Sequence, residues 1–136
     1  MKNQMENNVE LLLELNNGDF SVWRTVDQNN NKFYNIEIEG YIGYKDVNSF
    51  IILYENFKRS FYNYLDNNNY RKPVRNIWKK VYQTRSIEIC YEANCYWIFL
   101  EPYSSPQIWD LYYYLEDVIN QIRQYINQCG NKNYIT

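Results

Sequence analysis

Two hydrophobic rhythms alternate along this chain, and their order limits the folds open to it. Over residues 9–15 apolar side chains recur at every second position. Val9, Leu11, Leu13 and Leu15 fall on one face, and Glu10, Leu12 and Glu14 on the other. That period belongs to a half-buried strand. Asn16-Asn17-Gly18-Asp19 follows, a turn signal because Asn and Gly tolerate positive φ. Phe20–Val26 resumes as a β-rich run, so the first two strands are predicted to form a hairpin. After the polar loop 27–32, a third strand over Phe33–Glu39 sets Tyr34, Ile36 and Ile38 against Asn35, Glu37 and Glu39. Gly40 would allow a bulge if that strand runs on through Tyr41 and Ile42.

The period then changes. Behind Asp46, a suitable N-cap, Val47, Phe50, Tyr54, Phe57, Phe61 and Tyr64 recur every three or four residues, one face of a helix that ends at 66–69. Residues 73–82, opened by Pro73, carry Val74, Ile77, Trp78 and Val81 at the spacing of a short helix. Alternation returns in Ser86–Tyr91 and in Cys95–Glu101, with a turn between them and Pro102 as a stop. A capping box at Ser104-Ser105-Pro106-Gln107 starts the last helix. Its stripe is Ile108, Leu111, Tyr112, Leu115, Ile119, Ile122 and Ile126, and Gly130 is its predicted end. The order β-β-β-α-(α)-β-β-α predicts an α+β fold: a mainly antiparallel sheet of about five strands with two amphipathic helices on one face. The 136 residues fit one domain, with residues 1–8 a flexible, polar N-terminus, and neither repeat nor linker divides them.

Composition narrows the chemistry. The chain has no histidine, which removes Ser-His and Cys-His nucleophiles, histidine bases and nearly all zinc sites. Four dispersed glycines make no phosphate loop. A carboxylate pair is the one acid–base device left among 16 acidic residues. The expectation is a non-enzyme without cofactor or metal. Cys90, Cys95 and Cys129, an odd set without a secretion signal, point to reduced thiols and a cytoplasmic protein. Cys90 and Cys95 flank a turn where a disulfide is an alternative. No apolar run is long enough to span a membrane. The 16 tyrosines fit either an AT-rich coding bias or an interface.

Three surface features offer themselves for binding. Glu10, Glu14, Glu37, Glu39 and Glu88 all take the polar positions of their strands and would form one acidic sheet face. Such a face either guards against aggregation or docks a basic partner. Trp109, Tyr113 and Tyr114 take outward positions on the last helix. With Trp23 on the second strand, Trp109 and Tyr113 are candidate aromatic anchors. Finally, residues 71–85 hold six of the 14 basic side chains (Arg71, Lys72, Arg75, Lys79, Lys80, Arg85) and no acid, interleaved with Trp78 and Tyr82. Single-stranded nucleic acid is bound by such a combination. A solvated helix in an acidic protein of net charge −2 explains it as well, and the charge balance argues against nucleic acid.

The hairpin Val9–Val26, the strand Tyr34–Ile38, the helix with Phe57, Phe61 and Leu65, and Trp78 ahead of Ile87–Tyr91, Tyr96–Leu100 and a closing helix together resemble the WapI-like small immunity proteins encoded beside bacterial polymorphic toxins. The resemblance lies in element order and apolar positions and carries over no functional residue. It implies a protein without enzymatic activity that blocks a cognate toxin by stoichiometric binding; the acidic sheet face points to a basic toxin domain, and neither a membrane nor a small-molecule ligand is expected. An inhibitor of a bacterial defence complex encoded by a phage has the same attributes, and nucleic-acid binding through 71–85 is a third alternative.

Overall fold

The computed structural model describes residues 8–38, 42–44, 47–73, 87–92 and 95–135. They form an α+β fold of antiparallel sheet and two long helices. Strands β1 (Asn8–Leu15), β2 (Phe20–Val26), β3 (Lys32–Ile38) and β7 (Tyr103–Ser105) make a four-stranded sheet in the order β1-β2-β3-β7. Strands β4 (Ile42–Tyr44), β5 (Ile87–Glu92) and β6 (Cys95–Leu100) make a three-stranded sheet in the order β4-β6-β5. The five predicted strands become seven because two of them are interrupted. Ile36 faces Tyr103 and Ile42 faces Ile98, six residues on along one side and five back along the other. The two ladders therefore continue one antiparallel pairing to within a residue. Pro102, which has no amide hydrogen to donate, sits where β6 stops and β7 begins.

The turns follow the residues that permit them. Asn16, Asn17 and Gly18 all have positive φ in the first hairpin, and the Asn16 side-chain amide donates to Asp19 at 2.6 Å. In the second, Asp27 Oδ1 accepts from the backbone N–H groups of Asn29 (2.8 Å) and Asn31 (2.9 Å). These hydrogen bonds hold the Asp27 carboxyl below its ordinary range, because they favour the charged form. Helix α1 (Val47–Asn67) closes with Asn69 in the left-handed region, φ 62°. Tyr70 N–H reaches Leu65 O at 3.0 Å, and Asn69 N–H reaches Asp66 O at 3.2 Å. This is a Schellman cap with Asn in the place usually taken by glycine.

Helix α2 (Ile108–Ile135) departs from expectation at both ends. Ser104 belongs to β7, and Ser105 does the capping: its Oγ accepts from Gln107 N–H at 3.1 Å and donates to the Asp110 carboxylate. The acidic partner of the cap is Asp110, in the first turn, and Gln107 supplies the backbone donor. At the other end the helix runs through Gly130. An interior glycine costs a helix about 1 kcal/mol relative to alanine, which weakens it without ending it.

Both helices cover one face of the four-stranded sheet. Phe20 is fully buried, with ring centroids 4.8 Å from Phe57 and 5.8 Å from Phe61. Val22, Ile36 and Ile38 extend the same face under Leu65, Leu111, Leu115 and Ile119. The helices run antiparallel and are pinned by ion pairs Glu55–Arg123 and Lys58–Glu116. Such exposed pairs are worth at most about 1 kcal/mol each. The register of β5 with β6 sets Cys90 opposite Trp97 and Cys95 opposite Glu92, so the two cysteines do not face each other, and Cys95 is a free thiol. Among the described residues no helix is long and apolar enough to cross a membrane. The expected helix over 73–82 lies, apart from Pro73, outside the described residues.

Candidate functional site

The candidate site is the face of the four-stranded sheet opposite the helices, uncovered among the described residues, and a single irregularity in β1 shapes it. The pairing of β1 with β2 shifts between Leu11 and Leu13: Leu11 faces Trp23, and Leu13 faces Val22. Leu12 is the additional residue of a β-bulge. Side chains before the bulge are thereby turned over relative to those after it. Leu12, Leu13 and Leu15 pack against the core, whereas Val9 and Leu11 are 59% and 41% exposed. The alternation expected from sequence put Val9 and Leu11 inward. Three consecutive leucines satisfy either register, and the bulge selects the one that packs two neighbours, Leu12 and Leu13, partly buried against the core.

The same shift reassigns Glu10. It faces Arg24, which in turn faces the buried Tyr34, so Glu10 stands on the helix-bearing side and not on an acidic outer face. There it forms an ion pair with the Arg24 guanidinium, whose pKa is raised chiefly by the hydrogen bond it donates to Glu10. Tyr34, Tyr64 and Tyr70 pack as a cluster close by, with centroids 6.2 Å apart for Tyr34–Tyr70 and 6.1 Å for Tyr64–Tyr70. Burial raises the phenols of Tyr64 and Tyr70, that of Tyr70 to about 12.

Of the other proposed acids, Glu14 and Glu37 do share the outer face. Each faces Ser21 on the central strand, which places them about 10 Å apart by strand spacing. Glu88 belongs to the three-stranded sheet, opposite Phe99, and is not in that cluster. Glu39 lies outside the described residues. Among the described residues the acidic face therefore holds two of the five, Glu14 and Glu37.

Trp23 is the one predicted anchor that reaches this surface. It is half-buried at the centre of the face, and its indole N–H donates along the strand to Ser21 Oγ at 3.0 Å. Trp109 and Tyr113, by contrast, are 5% and 9% exposed and belong to the core, as does Tyr114. The expectation that they point outward fails because the first two turns of α2 are enclosed on all sides. Trp109 Nε1 donates to Tyr70 O at 3.0 Å, Tyr113 packs on Trp109 at 5.9 Å, and the Tyr114 hydroxyl donates to Glu101 O at 2.9 Å. A helix apolar all round is a buried helix.

Residues missed by sequence reasoning complete the face. Phe33 is 38% exposed and faces Thr25, which faces Val9, a row at the end remote from the acids. Between the two ends, Ser104 Oγ donates to Asn35 Oδ1, and Asn35 Nδ2 donates to Thr25 Oγ1 at 3.2 Å. Exposed Val9, Leu11 and Phe33 thus surround Trp23, two carboxylates close one end, and none of these face positions carries a cation. Phe33 was legible from the alternation of β3; Val9 and Leu11 were not, because nothing in the sequence locates a bulge within Leu11-Leu12-Leu13.

Of the basic stretch 71–85, Arg71 and Lys72 are described and exposed; Arg75, Lys79, Lys80 and Arg85 lie outside the described residues. Among the described residues no group of three or more His, Cys, Asp or Glu is placed to hold a metal ion. Compared with models of protein families, with curated proteins and with solved structures, the chain matches none.

Proposed function

We propose that this chain is a non-catalytic immunity protein that neutralises a basic toxin domain by one-to-one binding in the cytoplasm, through the outer face of the four-stranded sheet. The observation that carries this reading is the bulge at Leu12, which turns Val9 and Leu11 to solvent beside Trp23 and Phe33. Grouped exposed apolar side chains around an aromatic are what an interface core is made of. Glu14 and Glu37 at its margin supply complementarity toward a cationic partner and speed encounter with it.

The test pairs the protein with the toxin domain encoded beside it. Co-expression should restore growth, and calorimetry should give a stoichiometry of one. Reversing both acids (Glu14→Lys with Glu37→Lys) should weaken binding at least about tenfold, equivalent to about 1.4 kcal/mol, and flatten its dependence on salt. Trp23→Ala should weaken it further. Full affinity in the charge-reversed protein would remove the sheet face from the mechanism.

A further inference from the structure

On the helix-bearing side, the Schellman cap of α1 builds a second site. Because Asn69 turns the chain left-handed, Tyr70 swings back until its carbonyl takes the Trp109 indole N–H at 3.0 Å. Arg71 and Lys72, the next two residues, are thereby laid along a cavity of about 330 Å³ between the end of α1 and the start of α2. Tyr62, on the last turns of α1, forms an aromatic wall. Its ring is braced edgewise against Trp109 (5.9 Å, 76°) and tilted on Tyr112 (5.8 Å, 56°), yet the residue is 41% exposed. Asp66, one turn further on, and Asn69 add a carboxylate and an amide to the rim. Neither Arg71 nor Lys72 is ion-paired with a described residue.

We infer that this cavity binds a nucleotide: the base stacks on Tyr62, the phosphate meets Arg71 and Lys72, and Asp66 and Asn69 receive the hydrogen-bonding edge of the base or sugar. Three features together select this ligand. A ring held rigid by its neighbours loses little freedom when a flat ligand stacks on it. Two adjacent cations suit a phosphate, which Arg contacts through its planar fork and Lys as a point charge. A carboxylate in the same cavity would repel inorganic phosphate or a bare polyanion, but it accepts from an exocyclic amine or a sugar hydroxyl. Phosphotyrosine shares the ring and the phosphate, but its ring edge carries neither an amine nor a free hydroxyl for Asp66. The site stands apart from the outer sheet face, so its occupancy is independent of the partner proposed there.

The experiment titrates the full chain with nucleoside monophosphates, the matching nucleosides, inorganic phosphate, phosphotyrosine and a short single-stranded oligonucleotide, by calorimetry with amide chemical shifts as second readout. The monophosphates should bind at least tenfold more tightly than nucleoside or inorganic phosphate, and shifts should gather at Tyr62, Asn69–Lys72 and Trp109. Tyr62→Ala should weaken binding at least tenfold. Arg71→Ala with Lys72→Ala, two exposed positions that leave the core intact, should do the same, whereas Leu11→Lys should change nothing. An oligonucleotide binding more tightly than a monophosphate identifies a strand as the ligand, and equal affinity identifies the free nucleotide. No binding at millimolar nucleotide, equal affinity for inorganic phosphate, preference for phosphotyrosine, or full affinity in the double variant overturns the inference.

Discussion

Exchanging Leu11 for lysine, and separately Leu13, measures the bulge in β1 directly. Strict alternation makes the two leucines equivalent, both inward. The observed register makes them opposites: Leu11 faces Trp23 on the outer side and is 41% exposed, and Leu13 faces the fully buried Val22. Burying a leucine completely is worth about 2 kcal/mol, and Leu11 realises only part of that. A lysine there keeps its hydrocarbon stem on the sheet and lifts its ammonium into water. The expected cost at Leu11 is therefore about 0.5 kcal/mol. Leu13 is partly buried and packs against the core, so the same side chain loses that packing and brings its charge close to the apolar interior. The expected cost is about 2–3 kcal/mol.

Urea unfolding followed by far-ultraviolet circular dichroism separates the two outcomes, since a difference of about 2 kcal/mol corresponds to roughly thirtyfold in the folding equilibrium. In thermal melts it amounts to about 6 °C for a domain of this size. Equal losses at the two positions, or a larger loss at Leu11, would refute the bulge and return Val9 and Leu11 to the core. In the expected case Leu11→Lys yields a folded protein whose outer face has lost an apolar side chain and gained a cation, so it doubles as a probe of that surface.

Two further predictions concern the cap and the tyrosines. Asn69→Ala should cost about 1 kcal/mol because alanine resists the left-handed conformation at φ 62°. Asn69→Gly should be neutral or stabilising in the same thermal melts, and equal losses would mean that the cap does not depend on backbone conformation. Burial holds the phenols of Tyr70 and Tyr112 at about 12, above the ordinary 10.0, so the fold favours their neutral forms. A raised folded value means that this stability is complete below pH 10 and is lost as the pH climbs toward 12. The loss should be roughly 1–2 kcal/mol per tyrosine, after allowance for solvent screening at partly exposed Tyr70. Urea midpoints that stay constant across that interval would show that the rings titrate freely in the folded protein.

Legibility from sequence tracked how local the determining physics is. The first hairpin, the body of α1, and the inward set Tyr34, Ile36 and Ile38 follow from period and turn residues a few positions apart, and they are present as expected. The errors arise where distant segments decide. Trp109 and Tyr113 sit on what helical periodicity marks as an outer face, but Tyr70 and its turn close over Trp109, and Tyr62 packs against it from α1. Glu10 and Glu88 leave the expected acidic face because strand-by-strand alternation says nothing about which sheet a strand joins or where a register slips. Capping moved by one residue for a similar reason: Ser104 and Ser105 both pair into β7, opposite Asn35 and Tyr34, and it is Ser105, the last residue of the strand, whose Oγ reaches Gln107 N–H.

The bulge also bears on why a chain of this composition would keep an exposed apolar face. Val9 and Leu11 contribute little to the core when turned outward, and edge strands with exposed apolar residues invite aggregation. A regular β1 would hide both side chains, so stability alone gives no reason for the irregularity. The edge is also the position where an irregular ladder disturbs the fewest neighbours, and among the described residues β1 pairs on one side only. Partner binding supplies the missing benefit. A leucine and a valine moved from core to surface by one extra residue, beside a tryptophan already half-buried, make an apolar contact area without any change in the remaining strands. On that account the deletion of Leu12 is informative. Removing the extra residue leaves Leu13 opposite Val22 and Leu11 opposite Trp23, now neighbours in a regular ladder, so Val9 and Leu11 stay on the outer face and Glu10 stays beside Arg24. The shortened chain should keep its fold by circular dichroism and keep its affinity for the partner. A folded chain whose binding falls to the level of the charge-reversed variant would mean that the partner reads the local twist of the bulge and not the apolar patch.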